Sequence, residues 1–377
     1  MNPTRESGKA GLRPFEKKLI GVAIAVLVVI AGFSLYFSLN SHHSSGNTIV
    51  IYTYGSFLAD GSNKTQAYDQ VFGPFEKEYG VTVKVEIPTD GILATLEAEK
   101  KNPQADIVIG LTNINGIEAG NDGLLVKYSS PADSYINSTL INEMGPAAAY
   151  MTPYEYSYLG IDYNHTNFPG GVFNPDFQDL LTKENASNLI MESPATSSTG
   201  EGFLLWEIAY YQYLLHENWT SWWSSVKSYA STNLYNSWSS AFTHFESSPK
   251  GALMVSYLTD PSYNVYFGYG NFIGSTVTQH NGTEYGWRTI YNIAIVNGTG
   301  QTQLDEKFIN YFLSGSVQAV LPTNEWMYPA NQTVPLPSVF SANMNPSDIV
   351  PLNQYINAEI IQANLQTWIY EWLSIME

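Results

Sequence analysis

Residues 48–54, TIVIYTY, decide the fold class. β-Branched and aromatic side chains alternate along this stretch, the mark of a strand. A helix-like pattern follows over 66–79, then a second strand over 81–87. Another helical pattern covers 91–100, and 106–110 is a short apolar run that reads as a buried strand. Strands alternating with helices at this spacing predict parallel strands with helices on both faces, an α/β fold. A second α/β stretch begins after the aromatic segment 154–163. It holds a strand ending at 189–191, a turn-rich loop over 193–202 and an amphipathic helix over 203–215. A strand over 287–296 returns the chain, and 304–320 reads as helix. In the last segment Ile361, Leu365, Trp368 and Trp372 fall on one helical stripe within 358–375.

The first residues set the compartment. Lys9, Arg13, Lys17 and Lys18 precede an uncharged apolar run over 19–39, about 20 residues and long enough to cross a bilayer. The basic flank keeps the N-terminus in the cytoplasm and exports the rest. The organisation expected is a basic tail (1–18), a transmembrane signal anchor (19–39) and a Ser/His-rich tether (40–47). Two lobes follow: lobe 1 from 48–150 and 290–335, and lobe 2 from 151–289. A C-terminal helical segment, 336–377, is expected to pack on lobe 2. Two α/β lobes outside a membrane and tethered to it imply a hinged cleft.

The chain has no cysteine, so the exported part must be held by its core alone. It carries 16 Lys plus Arg, five of them before residue 44, and 34 Asp plus Glu, two of them before residue 44. The exported part therefore holds 11 basic against 32 acidic groups, with Arg288 its only arginine. Such a surface repels nucleic acid and anionic lipid. Sequons at Asn63, Asn137, Asn164, Asn185, Asn218, Asn281, Asn297 and Asn331 suit a glycoprotein.

Chemistry-bearing motifs are few. No HExxH is present, the histidines offer no metal pair outside the tether, and no G-x-S-x-G marks a serine hydrolase. Paired carboxylates keep an extracellular hydrolase as a remote alternative. The loop 193–202 opens a helix with hydroxyls and glycines, which serves equally as an N-cap and as a seat for a polar or anionic ligand. Tyr54, Trp238, Tyr257, Tyr263, Trp326 and Tyr328 stand beside Pro and small polar residues, in surroundings that read as loops. Aromatic faces on such loops attract flat cationic ligands.

The stretches YTYGSF (52–57), ADIVIGL (105–111), TSSTGEGFLLW (196–206), SWSSAF (237–242), SYLTDPSY (256–263), EWMYP (325–329) and WIYEW (368–372) resemble the thiamine-binding solute receptors of ABC importers. That group of two-lobed periplasmic binding proteins also holds ferric-iron and polyamine receptors. The resemblance implies a non-enzymatic receptor that binds thiamine, its phosphates also admitted, as cargo with no cofactor. Its partners would be ABC permease and ATPase subunits. It would sit at the cell membrane with the bulk of the chain extracytoplasmic. It also implies stacking by Trp326, Tyr263 and Trp238, and hydrogen bonds from Tyr54, Tyr257 and Ser197, with Asp90, Ser198, Gly200 and Tyr328 as weaker candidates. Ala195 stands where an Arg is usual, which weakens the case for phosphate esters. Asp260 and Glu325 keep a polyamine receptor as the alternative. A ferric receptor would use adjacent tyrosines such as Tyr210-Tyr211.

Overall fold

The computed structural model describes residues 47–376, except 169–170, 249–250 and 271. The basic tail and the apolar run 19–39 lie outside the described residues. Among the described residues no helix is long and apolar enough to cross a membrane.

The strands are β1 Thr48–Tyr52, β2 Thr82–Glu86, β3 Ile107–Thr112, β4 Met151–Asn164, β5 Leu189–Glu192, β6 Leu234–Tyr235, β7 Leu253–Tyr257, β8 Ile273–Thr276, β9 Thr278–His280, β10 Thr283–Gly286, β11 Arg288–Ile295, β12 Tyr328–Pro329 and β13 Ile349–Pro351. The first half adds helices α1 Lys64–Tyr79, α2 Ile92–Glu99, α3 Asn113–Asn121, α4 Ser138–Glu143 and α5 Lys183–Asn188. The second half adds α6 Ser198–Ile208, α7 Thr220–Ala230, α8 Trp238–Ser247, α9 Asp260–Tyr266, α10 Thr302–Phe312, α11 Gly315–Gln318 and α12 Ala358–Met376.

The main sheet runs β2-β1-β3-β11-β4-β7-β5-β6, with β8 and β12 added to β4. β1 pairs parallel with both β2 and β3, as the alternation predicts. β11 is antiparallel to β3 and β4. The long β4 links two hydrophobic cores. Its Met151 and Tyr154 lie in one core with β1, β3, α1 and α10. Its Tyr158, Leu159, Ile161 and Tyr163 lie in the other, with α6, α7 and α12. The stripe Ile361, Leu365, Trp368 and Trp372 of α12 is buried in that second core.

Several local expectations need correction. Residues 257–263 are not a loop: β7 runs to Tyr257, and α9 starts at Asp260 with Pro261 in its first turn, where a missing N–H costs nothing. Trp238 likewise opens α8. The loop 193–202 ends early, because α6 begins at Ser198. That helix is buried around nearly its whole circumference rather than along one stripe, and a wider π-helical segment continues it over Ala209–Leu215. Of the sequons, Asn331 is buried and gives its amide to the Leu313 carbonyl at 2.9 Å, so the folded chain closes it to glycan.

Candidate functional site

The segment after β1 and the segment before β12 are tied together. The Tyr54 hydroxyl donates to Glu325 Oε2 at 2.6 Å, and the Leu58 N–H donates to the other Glu325 oxygen. One residue on, Trp326 Nε1 donates to the Asp60 carbonyl at 2.9 Å. Leu58 and Trp326 both hold left-handed backbone, at φ +53° and +54°. Bulky side chains pay for that conformation, so the contacts around them must fix it. The Trp326 indole lies 6.4 Å from Phe340 in a stacked arrangement and meets Tyr263 edge-on at 5.5 Å. Tyr328 joins the same cluster, 5.4 Å from Tyr156 and 5.5 Å from Phe340.

Tyr54 also leads into a second, polar cluster. Its hydroxyl lies 3.1 Å from both Glu155 Oε1 and the Tyr154 hydroxyl. Its ring packs on Tyr291 at 5.6 Å. The Tyr291 hydroxyl meets that of Tyr257 at 3.0 Å, and Tyr257 meets the Thr199 hydroxyl of α6 at 3.5 Å. Two backbone features make this geometry accessible. Gly110 on β3, at φ +107°, leaves room for the Tyr54 ring, which would stand 2.4 Å from a Cβ there. The β11–β4 register shifts between Tyr291 and Asn292, a bulge that re-aims the Tyr291 side chain.

Two carboxyls thus share one tyrosine hydroxyl. Glu155 is fully buried, one of its oxygens has no partner, and neither it nor Glu325 pairs with Lys or Arg among the described residues. Burial pushes the Glu155 carboxyl up to about 8, opposed by hydrogen bonds from Tyr54 and Tyr154. Burial, then repulsion from Glu155, holds Glu325 well above the usual carboxylate range. The pair is a buried acidic cluster with no Lys or Arg partner among the described residues.

The predicted residues therefore fall into three groups. Trp326, Tyr263 and Tyr328 share the aromatic cluster. Tyr54 and Tyr257 share the hydroxyl cluster, and the start of α6, which carries Ser197, Ser198 and Gly200, reaches it through Thr199. Trp238 stands apart, giving Nε1 to Ser256 Oγ at 2.9 Å; Ser256 in turn binds Asp260, at the start of the helix that carries Tyr263. Asp90 is not brought in: it is exposed in the turn before α2. Sequence reasoning missed Glu155, Tyr291, Thr199 and Glu192. The signal for Glu155 was a lone acid inside the aromatic run Tyr154–Tyr158.

This fold is that of the periplasmic binding proteins. The chain superposes on a solved periplasmic thiamin-binding protein with a TM-score of 0.72 and 25% identity, over 88% of this chain and 96% of the other. A ferric-binding protein from Campylobacter jejuni shares the fold at a TM-score of 0.69 and 19% identity, over 87% of this chain and 99% of the other. Among curated relatives, the chain resembles thiamine-binding periplasmic proteins: 28% identity over 334 residues with that of Salmonella typhimurium (strain LT2), covering 86% of this chain and 92% of the relative. With that of Escherichia coli (strain K12) the identity is 26% over 341 residues, covering 86% and 92%. These relatives are binding proteins, not enzymes. No protein-family model matches the chain.

Proposed function

We propose that this chain is the extracytoplasmic solute receptor of an ABC importer, and that its cargo is thiamine. The observation that carries the reading is the Glu155–Tyr54–Glu325 cluster, two carboxyls on one hydroxyl with no Lys or Arg partner among the described residues, joined through Glu325-Trp326 to a wall of aromatic rings. Thiazolium is a permanent, flat cation and suits both features. Trp326 and Tyr263 stack on the ligand, and closure of the lobes brings in Trp238, which stands apart from them in this structure; Tyr54, Tyr257 and residues at the start of α6 supply polar contacts. The lobes close on the ligand and present it to a permease. The apolar run 19–39 anchors the chain in the membrane.

Magnitudes support a joint role for rings and acids. One cation–π contact gives roughly 0.5–2 kcal/mol, so three faces fall short of the about 8 kcal/mol of micromolar binding. The carboxyl pair supplies the remainder. Iron is disfavoured at the adjacent tyrosines: Tyr210 and Tyr211 are buried in the second core, and burial pushes both hydroxyls far above their ordinary range.

Calorimetric titration with thiamine, spermidine and ferric citrate tests the assignment, after any co-purified ligand is stripped. Thiamine binding below about 1 μM, lost in Trp326→Ala, is expected. Heat with spermidine alone would replace the vitamin with a polyamine.

A further inference from the structure

The start of α6 already holds an anion of the protein's own. Glu192 ends β5 and is only 3% exposed. One of its oxygens accepts from the hydroxyl of Ser197, the capping residue of α6, and the other has no partner. Ser197 makes no side-chain cap to the helix, because its hydroxyl is spent on Glu192. The contact is tight: a Cβ at Gly200 would come within 2.5 Å of the Glu192 carbonyl oxygen. This helix start opens on the hydroxyl cluster through the Thr199–Tyr257–Tyr291 chain. Among the described residues no Lys or Arg pairs with Glu192, and none occurs in sequence between Lys183 and Lys227.

A helix N-terminus offers an anion roughly half a positive charge. A bound phosphate ester carries nearly two negative charges, and here it would meet a buried acid that already occupies the Ser197 hydroxyl at the helix start. We propose that Glu192 is a specificity-determining residue: it fills the anion seat at the start of α6 and makes the site take the unphosphorylated cation while rejecting its phosphate esters. The inference rests on the thiamine reading for its choice of ligand.

The groups around Glu192 set how this selectivity titrates. The Ser197 hydroxyl bonds it, the Thr199 hydroxyl lies beside it, Tyr257 faces it from β7, Tyr235 is its register partner on β6, and Glu201 lies one turn into α6. Burial pushes the Glu192 carboxyl up to about 7, against those two hydroxyls. Its charge, and with it the rejection, therefore grows as pH rises through neutrality.

The test titrates the full chain with thiamine and thiamine monophosphate at about pH 8, and measures melting temperature with and without inorganic phosphate. Wild type is expected to prefer thiamine by about tenfold or more, and to gain no stability from phosphate. Glu192→Gln keeps an acceptor for Ser197 but loses the charge. It should tighten the monophosphate, shrink the preference to about threefold or less, and acquire stabilisation by phosphate. Equal wild-type affinity for the two ligands, or stabilisation of wild type by phosphate, overturns the proposal whether or not the variant folds. Should thiamine itself not bind, the vitamin assignment fails, while the phosphate arm still decides the role of Glu192.

Discussion

A carboxyl at position 155 sits among tyrosine rings with no Lys or Arg paired to it among the described residues. Desolvation of an ionised acid is costly unless a positive charge compensates, so the pair with Glu325 is destabilising in the empty protein and rewarding to a cation. Glu155→Gln removes the charge and keeps the hydrogen bond from Tyr54. We expect thiamine affinity to drop by about tenfold or more, because hydrogen bonds and contacts with charged groups contribute about 1.5–3 kcal/mol. Above about pH 8, where the wild-type carboxyl is ionised, melting temperature without ligand should rise. A variant with unchanged affinity would remove Glu155 from the site. The sequence showed the rings but not this acid, for a physical reason. Along Tyr154–Tyr158 aromatic and polar residues alternate, which is also how a strand with one wet face looks, so Glu155 reads as outward-pointing. Only the addition of Tyr54 and Glu325 from elements far away in sequence turns its face inward.

Elements explain why those distant residues meet. β4 and β11 run antiparallel between the two cores, so Glu155 and Tyr291 lie opposite each other in register. Periodicity alone located most helices and strands, because their apolar stripes survive any tertiary context. It could not show the Tyr291 bulge or the early start of α6, since both depend on what packs against them. Near the same crossing, Arg288 on β11 pairs with Glu143 of α4 at 2.9 Å and lies over the Tyr158 ring at 5.0 Å. Both charged side chains are nearly buried, with 11% and 13% exposure. Breaking such a pair strands a charge, so Arg288→Ala should cost about 3–5 kcal/mol in denaturant unfolding. The double variant Arg288→Met with Glu143→Leu should recover most of that loss. If the double variant is as unstable as the sum of the single ones, the pair's cost is packing rather than charge.

At the scale of the molecule, acidity is the dominant property, and composition already displayed it: 34 acidic against 16 basic residues. Composition could not say where acids are buried, and burial decides the pH response. Burial pushes Glu155 and Asp305 up to about 8 and Glu192 up to about 7. Asp305 accepts from Thr299 at 2.7 Å, and that same hydroxyl lies 2.8 Å from Asp106. Each raised carboxyl binds its proton more tightly folded than unfolded. Its contribution to stability is complete below the unfolded value near 4.5, or 3.8 for Asp305, and is lost as pH rises through the folded value. The ligand-free protein should therefore melt at a higher temperature near pH 5 than near pH 8, opposite to a protein whose acids are stabilised by salt bridges. A cation entering the site favours the ionised acids, so its binding expels protons. Thiamine affinity should rise with pH, by up to tenfold per unit for each proton released, between about pH 5 and 8. Titrations at one pH in buffers of different ionisation enthalpy count those protons directly. A binding heat that is independent of buffer, with affinity flat across this range, would mean that the ligand's charge does not reach the Glu155–Glu325 pair.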